Sequence, residues 1–218
     1  MTHEKRYALC CDALRAAANL YELDDVNALL KLYEADPIAT ASGKSSYFPI
    51  LAALAPIMQE AREAMDKGNN SGAVLSALKR IAKVATRDDL HGGWIDDEGR
   101  YCVCSGYHAV RLNGARFDSI PTVAGFEGLK KCMERPADLE RVELPTVSEV
   151  KTHRAAHGKD VPFSINGGLK WVNPNYLLDM LQALPGAEAF TDRKANGGIW
   201  FVSDKGDGIL LPCRPPKN

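Results

Sequence analysis

Apolar residues recur at helical spacing twice in the later two thirds of the chain, and each time short runs of strand-forming residues follow. In the second stretch Tyr176, Leu177, Met180, Leu181 and Leu184 fall at helical spacing. Asn173 stands as N-cap with Pro174 at the first helical position, and Pro185-Gly186 ends the helix. Ahead of it, Val161-Pro-Phe-Ser-Ile165 reads as a strand turned by Asn166-Gly167-Gly168. Behind it, strands are expected over 187–191, 198–203 and 208–211, parted by Asn196-Gly197 and Lys205-Gly206. The order is strand, helix and three strands, a βαβββ unit without a catalytic motif.

The first stretch repeats the pattern more loosely. Val74, Leu75, Leu78, Ile81, Ala82 and Ala85 predict a helix, and Trp94 to Leu112 reads as strand, turn, strand and a third strand, with turns at Asp97-Glu98-Gly99 and Ser105-Gly106-Tyr107. The segment 117–159 between the two units holds its own elements. These are a short helix over 126–133 and a helix entered at Thr146, where Glu149 completes a capping box. Lying between two repeats of one pattern, this segment is an insertion placed to cover a sheet edge.

The amino-terminal third is helical by the same reading. Tyr7, Leu9, Leu14, Ala17, Leu20 and Tyr21 predict one helix, and Asp24-Asp25 starts another through Val26, Leu29, Leu30 and Tyr33 that Asp36-Pro37 breaks. A third helix is expected over 48–66, with Pro56 as a kink or boundary. Gly68-Asn-Asn-Ser-Gly72 makes a joint, which divides the chain into a helical region 1–70 and a second domain 71–218.

Composition adds limits. The 218 residues are 45% hydrophobic and 25% charged, enough apolar material for a packed core and unlike a disordered chain. No apolar run reaches membrane-spanning length, and Met1-Thr-His-Glu-Lys-Arg6 leads into an amphipathic helix rather than a signal-peptide core, so a cytoplasmic location is expected. Six cysteines in a chain of this length fit reduced thiols better than a disulfide scaffold. Residues 1–78 carry 7 cationic and 10 anionic side chains against 20 and 18 in residues 79–218. A domain so nearly balanced binds nucleic acid only by gathering Lys and Arg on one surface. Lys79, Arg80, Lys83 and Arg87 do so along the first predicted helix, with Lys130 and Lys131 beyond it, although a solvated helix face explains them equally well.

Candidate chemistry is sparse. Cys102 and Cys104, joined by His91 or His108, are zinc-ligating residue types, but a one-residue gap is not zinc-knuckle spacing and buried packing is the preferred reading. No metal or cofactor is expected. Ser42-Gly-Lys-Ser45 lacks the first glycine of a P-loop, and Arg154-Ala155-Ala156 between His153 and His157 lacks a zinc-protease glutamate. Asp96, Asp97 and Glu98 read as turn chemistry, and Ser105 does not sit in a nucleophile elbow.

Tyr176-Leu-Leu-Asp-Met-Leu-Gln-Ala-Leu-Pro-Gly186, the closing Gly208-Ile-Leu-Leu-Pro-Cys-Arg214 and the order of elements around them resemble the repeating half-domain of the bacterial DNA sliding clamp, the β subunit of the replicative polymerase. The resemblance runs from Val161 to Arg214, about a quarter of the chain. It implies an α+β fold in which a helical region precedes one DNA-clamp-like domain of two βαβββ halves. It also implies a non-catalytic processivity-factor relative, or a partner-binding module of DNA replication or repair, of the kind a mobile element encodes, with duplex DNA and a polymerase or other replication protein as partners. Clamps bind short partner peptides in an apolar groove beside the final strand, and Leu177, Leu211, Pro212 and Arg214 occupy comparable places here. The helices that line a clamp ring are expected to be basic, whereas Asn175 to Leu184 carries no Lys or Arg. The resemblance leaves the oligomeric state open. Two other readings stay in play: a small hydrolase or metal-dependent enzyme using Cys and His near 91–108, and a structural protein whose helical region is an interaction surface.

Overall fold

Local sequence accounts for most elements of the fold. The structure, a computed structural model, describes residues 1–19, 48–69, 72–192, 194 and 197–215. The chain divides into two units, Met1–Asn69 and Asn70–Asn218. In the first, α1 (His3–Asn19) packs on α2 (Phe48–Asn69) through Cys10, Leu14 and Met58. The Arg62 guanidinium donates to the Tyr7 hydroxyl at 2.7 Å and lies over its ring. Helix α2 runs on through Pro56, which is exposed, instead of ending there. The helix expected from Asp24 to Tyr33, its Asp36-Pro37 break and the Ser42–Ser45 loop lie outside the described residues.

The second unit starts with α3 (Gly72–Lys83), whose buried stripe is Val74, Leu75, Leu78, Ile81 and Ala82, followed by strands β1 (Gly93–Ile95), β2 (Tyr101–Cys104) and β3 (His108–Leu112). After short helix α4 (Leu129–Met133) and strand β4 (Glu140–Val142) comes α5 (Val147–His157). Thr146 caps α5 as the sequence predicts: its side chain accepts from the Glu149 amide at 3.2 Å, and the Glu149 carboxylate accepts from the Thr146 amide at 2.6 Å. Hairpin β5 (Phe163–Ile165) and β6 (Lys170–Val172) leads into α6 (Pro174–Ala183), where Asn173 Oδ1 accepts from the Asn175 amide at 2.8 Å. Strands β7 (Glu188–Thr191), β8 (Ile199–Ser203) and β9 (Gly206–Leu210) complete the unit.

This is a mixed α+β unit built on an antiparallel sheet of seven strands in the order β1-β2-β3-β9-β8-β7-β4. Helices α3 and α6 pack against each other over one face of the sheet, and α5 packs against α6. Residues alternate between the faces. Tyr101, Val103, Val110, Phe201 and Leu210 join the helices in the larger core, whereas Cys102, Cys104, Ala109, Trp200 and Ile209 face α4 in a smaller one. Because both faces are covered, β2 and β3 are buried along their whole length. Gly208 sits where β3, β9 and α6 meet. A Cβ there would fall 2.4 Å from the Met180 methyl and 2.9 Å from the Ala109 carbonyl oxygen, so the helix can approach this closely only over a glycine.

Two details depart from expectation. The strand expected over 161–165 forms a separate hairpin with β6, a strand the sequence reading did not mark, and stays out of the large sheet. Each half therefore gives the sheet a helix and a three-strand meander, not a βαβββ set, and no strand precedes α3 among the described residues. The second departure is β4, which the insertion adds beside β7. At the opposite edge the same insertion reaches β1 through a parallel bridge between Gly93 and Thr122.

Candidate functional site

The chemistry-bearing side chains of the second unit converge where β3 starts, β9 ends and the two long helices meet. Ser105 closes the β2–β3 turn: its hydroxyl oxygen accepts from the amides of Tyr107 and His108, both at 3.2 Å, and lies 2.7 Å from His108 Nδ1. The other ring nitrogen, Nε2, faces Asp179 Oδ2 at 3.5 Å. Asp179 Oδ1 accepts from Arg80 Nε at 2.6 Å, and the same guanidinium donates to the Gln182 side chain. The chain of groups Ser105, His108, Asp179, Arg80 thus links β3 to α6 and α3.

A serine, a histidine and an aspartate in line invite a hydrolase reading, and the geometry argues for a strut instead. Ser105, His108 and Asp179 are buried, Ser105 with no exposure at all, and the serine oxygen already serves two backbone amides. A nucleophile must reach its substrate, and this one faces protein on every side. The sequence pattern sets Ser105 aside and does not single out Asp179. The available signal was an acid placed among the apolar residues of α6, between Leu178 and Met180, both of which are buried.

Above this strut lies an aromatic surface. The Tyr176 ring stacks on His108 at 4.5 Å between centroids, and Tyr107 stacks on Tyr176 at 5.8 Å. Tyr107 is 48% exposed and Leu211 39%. The Leu211 amide bonds the Tyr107 carbonyl at 2.9 Å, and the Cys213 amide bonds the Trp171 carbonyl at 2.7 Å, which lays the closing segment between the start of β3 and β6. Of the four expected groove residues, Leu211 and Arg214 are exposed and Pro212 is half-buried. Leu177 is a correction: it is fully buried in the larger core beneath the helices, so it supports this surface and does not line it.

The expected basic set also needs correcting, because it does not gather on one surface. Lys79, Arg80 and Lys83 belong to α3 on the helix-covered face, where Arg80 is committed to Asp179 and Gln182. Lys130 and Lys131 sit on α4, across the sheet, and Lys130 pairs with Asp97 at 3.3 Å and Glu98 at 2.9 Å. Arg87 lies over Phe126 on that same opposite side and pairs with Asp89 at 2.9 Å. Spacing along the chain cannot reveal that a sheet stands between two basic clusters.

Cys102 and Cys104 point into the smaller core, and burial pushes the Cys102 thiol up to about 12. No group of three or more His, Cys, Asp or Glu side chains suited to a metal ion occurs among the described residues. His91 Nδ1 instead lies 3.1 Å from the Ala82 carbonyl oxygen, and His153 Nε2 lies 3.1 Å from that of Val161. Lys170, also missed, is buried and holds the β7–β8 connection through Asp192 at 3.2 Å and the carbonyls of Lys194 and Gly197. No helix among the described residues is long and apolar enough to cross a membrane. No family model, no curated protein and no solved structure matches the chain.

Proposed function

We propose that residues 71–218 form a DNA-clamp-like domain and that the protein is a non-catalytic processivity-factor relative that holds a replication or repair protein in place. The observation that carries this reading is the strand order β1-β2-β3-β9-β8-β7, in which two helix-plus-three-strand runs meet head to head at β3 and β9 with both helices on one face. A clamp domain likewise sets two helices over a sheet of paired halves, although the leading strand of each βαβββ half is not part of this sheet, and the resemblance of 161–214 to the clamp half-domain favours the same reading.

Partner binding is favoured over encirclement of DNA. Helix α6 carries no Lys or Arg, Arg80 is spent inside the domain, and both sheet edges carry segments of the insertion. Ring-forming contacts through a free sheet edge would meet β4 on one side. The surface of Tyr107, Tyr176 and Leu211 offers aromatic, amphipathic contact of the kind that anchors short peptides.

The test is a titration of purified bacterial replicative polymerase with the full chain, run beside duplex DNA over a salt series. Saturable polymerase binding that Tyr107→Asp weakens by about tenfold or more supports the reading. Absence of polymerase binding, or indifference to Tyr107→Asp, refutes the partner role. Tight DNA binding with a steep salt dependence would refute the preference for partner over DNA.

A further inference from the structure

The outer edge of β1 is closed at one end only. The Gly93 amide donates to the Pro121 carbonyl at 2.8 Å, and the Gly93 carbonyl accepts from Val123 at 3.1 Å. Backbone groups alternate sides along a strand, and the Asp96 amide turns inward to the Arg100 carbonyl, so the amide and carbonyl of Ile95 face outward as those of Gly93 do. Among the described residues nothing bonds them. The Ile95 side chain is 53% exposed as well.

Past Val123 the covering segment makes no further backbone bond to β1 among the described residues, and its course over Trp94 at Gly125 has a physical reason. Gly125 has φ +83°, and a Cβ there would lie 2.5 Å from the Trp94 indole, so the chain lies flat on that ring and runs on to Phe126 and α4. What remains beside Ile95 is a cavity of about 320 Å³ with Trp94, Phe126 and Leu129 as its apolar wall. Its charges are uneven. Arg111 is committed to Asp207 at 2.8 Å, Arg100 to Asp96 at 3.1 Å, and Lys130 is shared by Asp97 and Glu98, while no ion pair reaches Glu127 among the described residues. Burial raises the Asp96 carboxyl, but the Arg100 amide and guanidinium and the Glu98 amide outweigh it and hold the group ionised below its usual range.

We propose that this half-open edge docks an extended, basic segment of a partner protein. The segment continues the line begun by Thr122, pairs its backbone with Ile95, lays one apolar side chain on Trp94 and Phe126, and turns a Lys or Arg toward Glu127 and Asp97. The site lies at the β1 edge, apart from the surface beside β9, and it stands whether or not the clamp reading does.

The experiment uses the full chain and two capped peptides of about eight residues, one alternating Lys with Leu and Val and the other with Glu in place of Lys. Binding is read by tryptophan fluorescence and by hydrogen exchange of the Ile95 amide. The Lys peptide binds and slows exchange at Ile95, the Glu peptide does not, and Glu127→Lys weakens the Lys peptide by about tenfold or more. Ile95→Pro removes the outward amide without breaking a ladder bond, and it weakens the Lys peptide, read by tryptophan fluorescence, by about tenfold or more. If that variant fails to fold, Glu127→Lys with unchanged circular dichroism carries the test. Equal binding of both peptides, no binding of either, unchanged exchange at Ile95, or indifference to Glu127→Lys overturns the proposal.

Discussion

The two halves of the second unit share an order of elements and differ in what fills it. On the helix-facing side β3 presents His108, Val110 and Leu112, whereas its partner β9 presents Gly206, Gly208 and Leu210. The small residues of β9 let α6 settle close to the sheet at the join, and the larger residues of β3 carry the histidine that reaches Asp179. The helices differ in the same sense: α3 keeps an exposed cationic flank at Lys83, while α6 has α3 on one side and α5 on the other and is mostly buried. One half is thus the anchored one and the other presents charge. A repeated topology fixes where elements go and leaves each copy free to specialise.

Six substitutions and a pH series break or sharpen this contrast. Gly208→Val should do the most damage, because its side chain overlaps Met180 and the Ala109 carbonyl, and a loss of about 3 kcal/mol or more is expected in urea unfolding. Leu177→Ala follows at about 3 kcal/mol, with cavity formation as the cause. A loss well under 1 kcal/mol would return Leu177 to the groove. Asp179→Asn removes the charged partner of Arg80 and should cost about 2 kcal/mol, reduced from the fully buried case because Arg80 is 43% exposed in its side chain. Paired with Arg80→Gln in a double-mutant cycle it should show coupling between the helices, and strict additivity would remove the strut. Asn173→Ala should cost about 1 kcal/mol through loss of the α6 cap.

The smallest effect is one of pH. The folded-state Cys102 thiol titrates far above the unfolded value near about 8.5, so the unfolded chain ionises first. The stability that rests on the neutral thiol is therefore whole below that value and is lost progressively as pH rises through and beyond it. Chemical denaturation from neutral to alkaline pH should show this decline, and Cys102→Ala should flatten it.

Element types were legible because the physics behind them is local. The caps at Asn173 and Thr146, the apolar spacing of α3 and α6 and the turns at Gly99 and Gly206 act within a few residues, and the structure contains each of them. Strands β4 and β6 were missed because Glu140-Arg141-Val142 and Lys170-Trp171-Val172 are short and open on charged residues, which masks a strand pattern. The buried polar strut was hidden because its members stand 99 residues apart from Arg80 to Asp179 and only pairing of β3 with β9 brings them together. The division of the basic residues by the sheet was hidden for the same reason. Legibility fell off with distance along the chain.

The account rests on both halves sharing one interior across the β3–β9 seam. Fluorotryptophan labelling gives each half its own reporter, Trp94 on β1 and Trp200 on β8, and their fluorine resonances can be followed together through a urea titration. A single domain predicts the same midpoint for both resonances, and Gly208→Val should shift the two by equal amounts. Two separate midpoints, or a shift confined to Trp200, would contradict it.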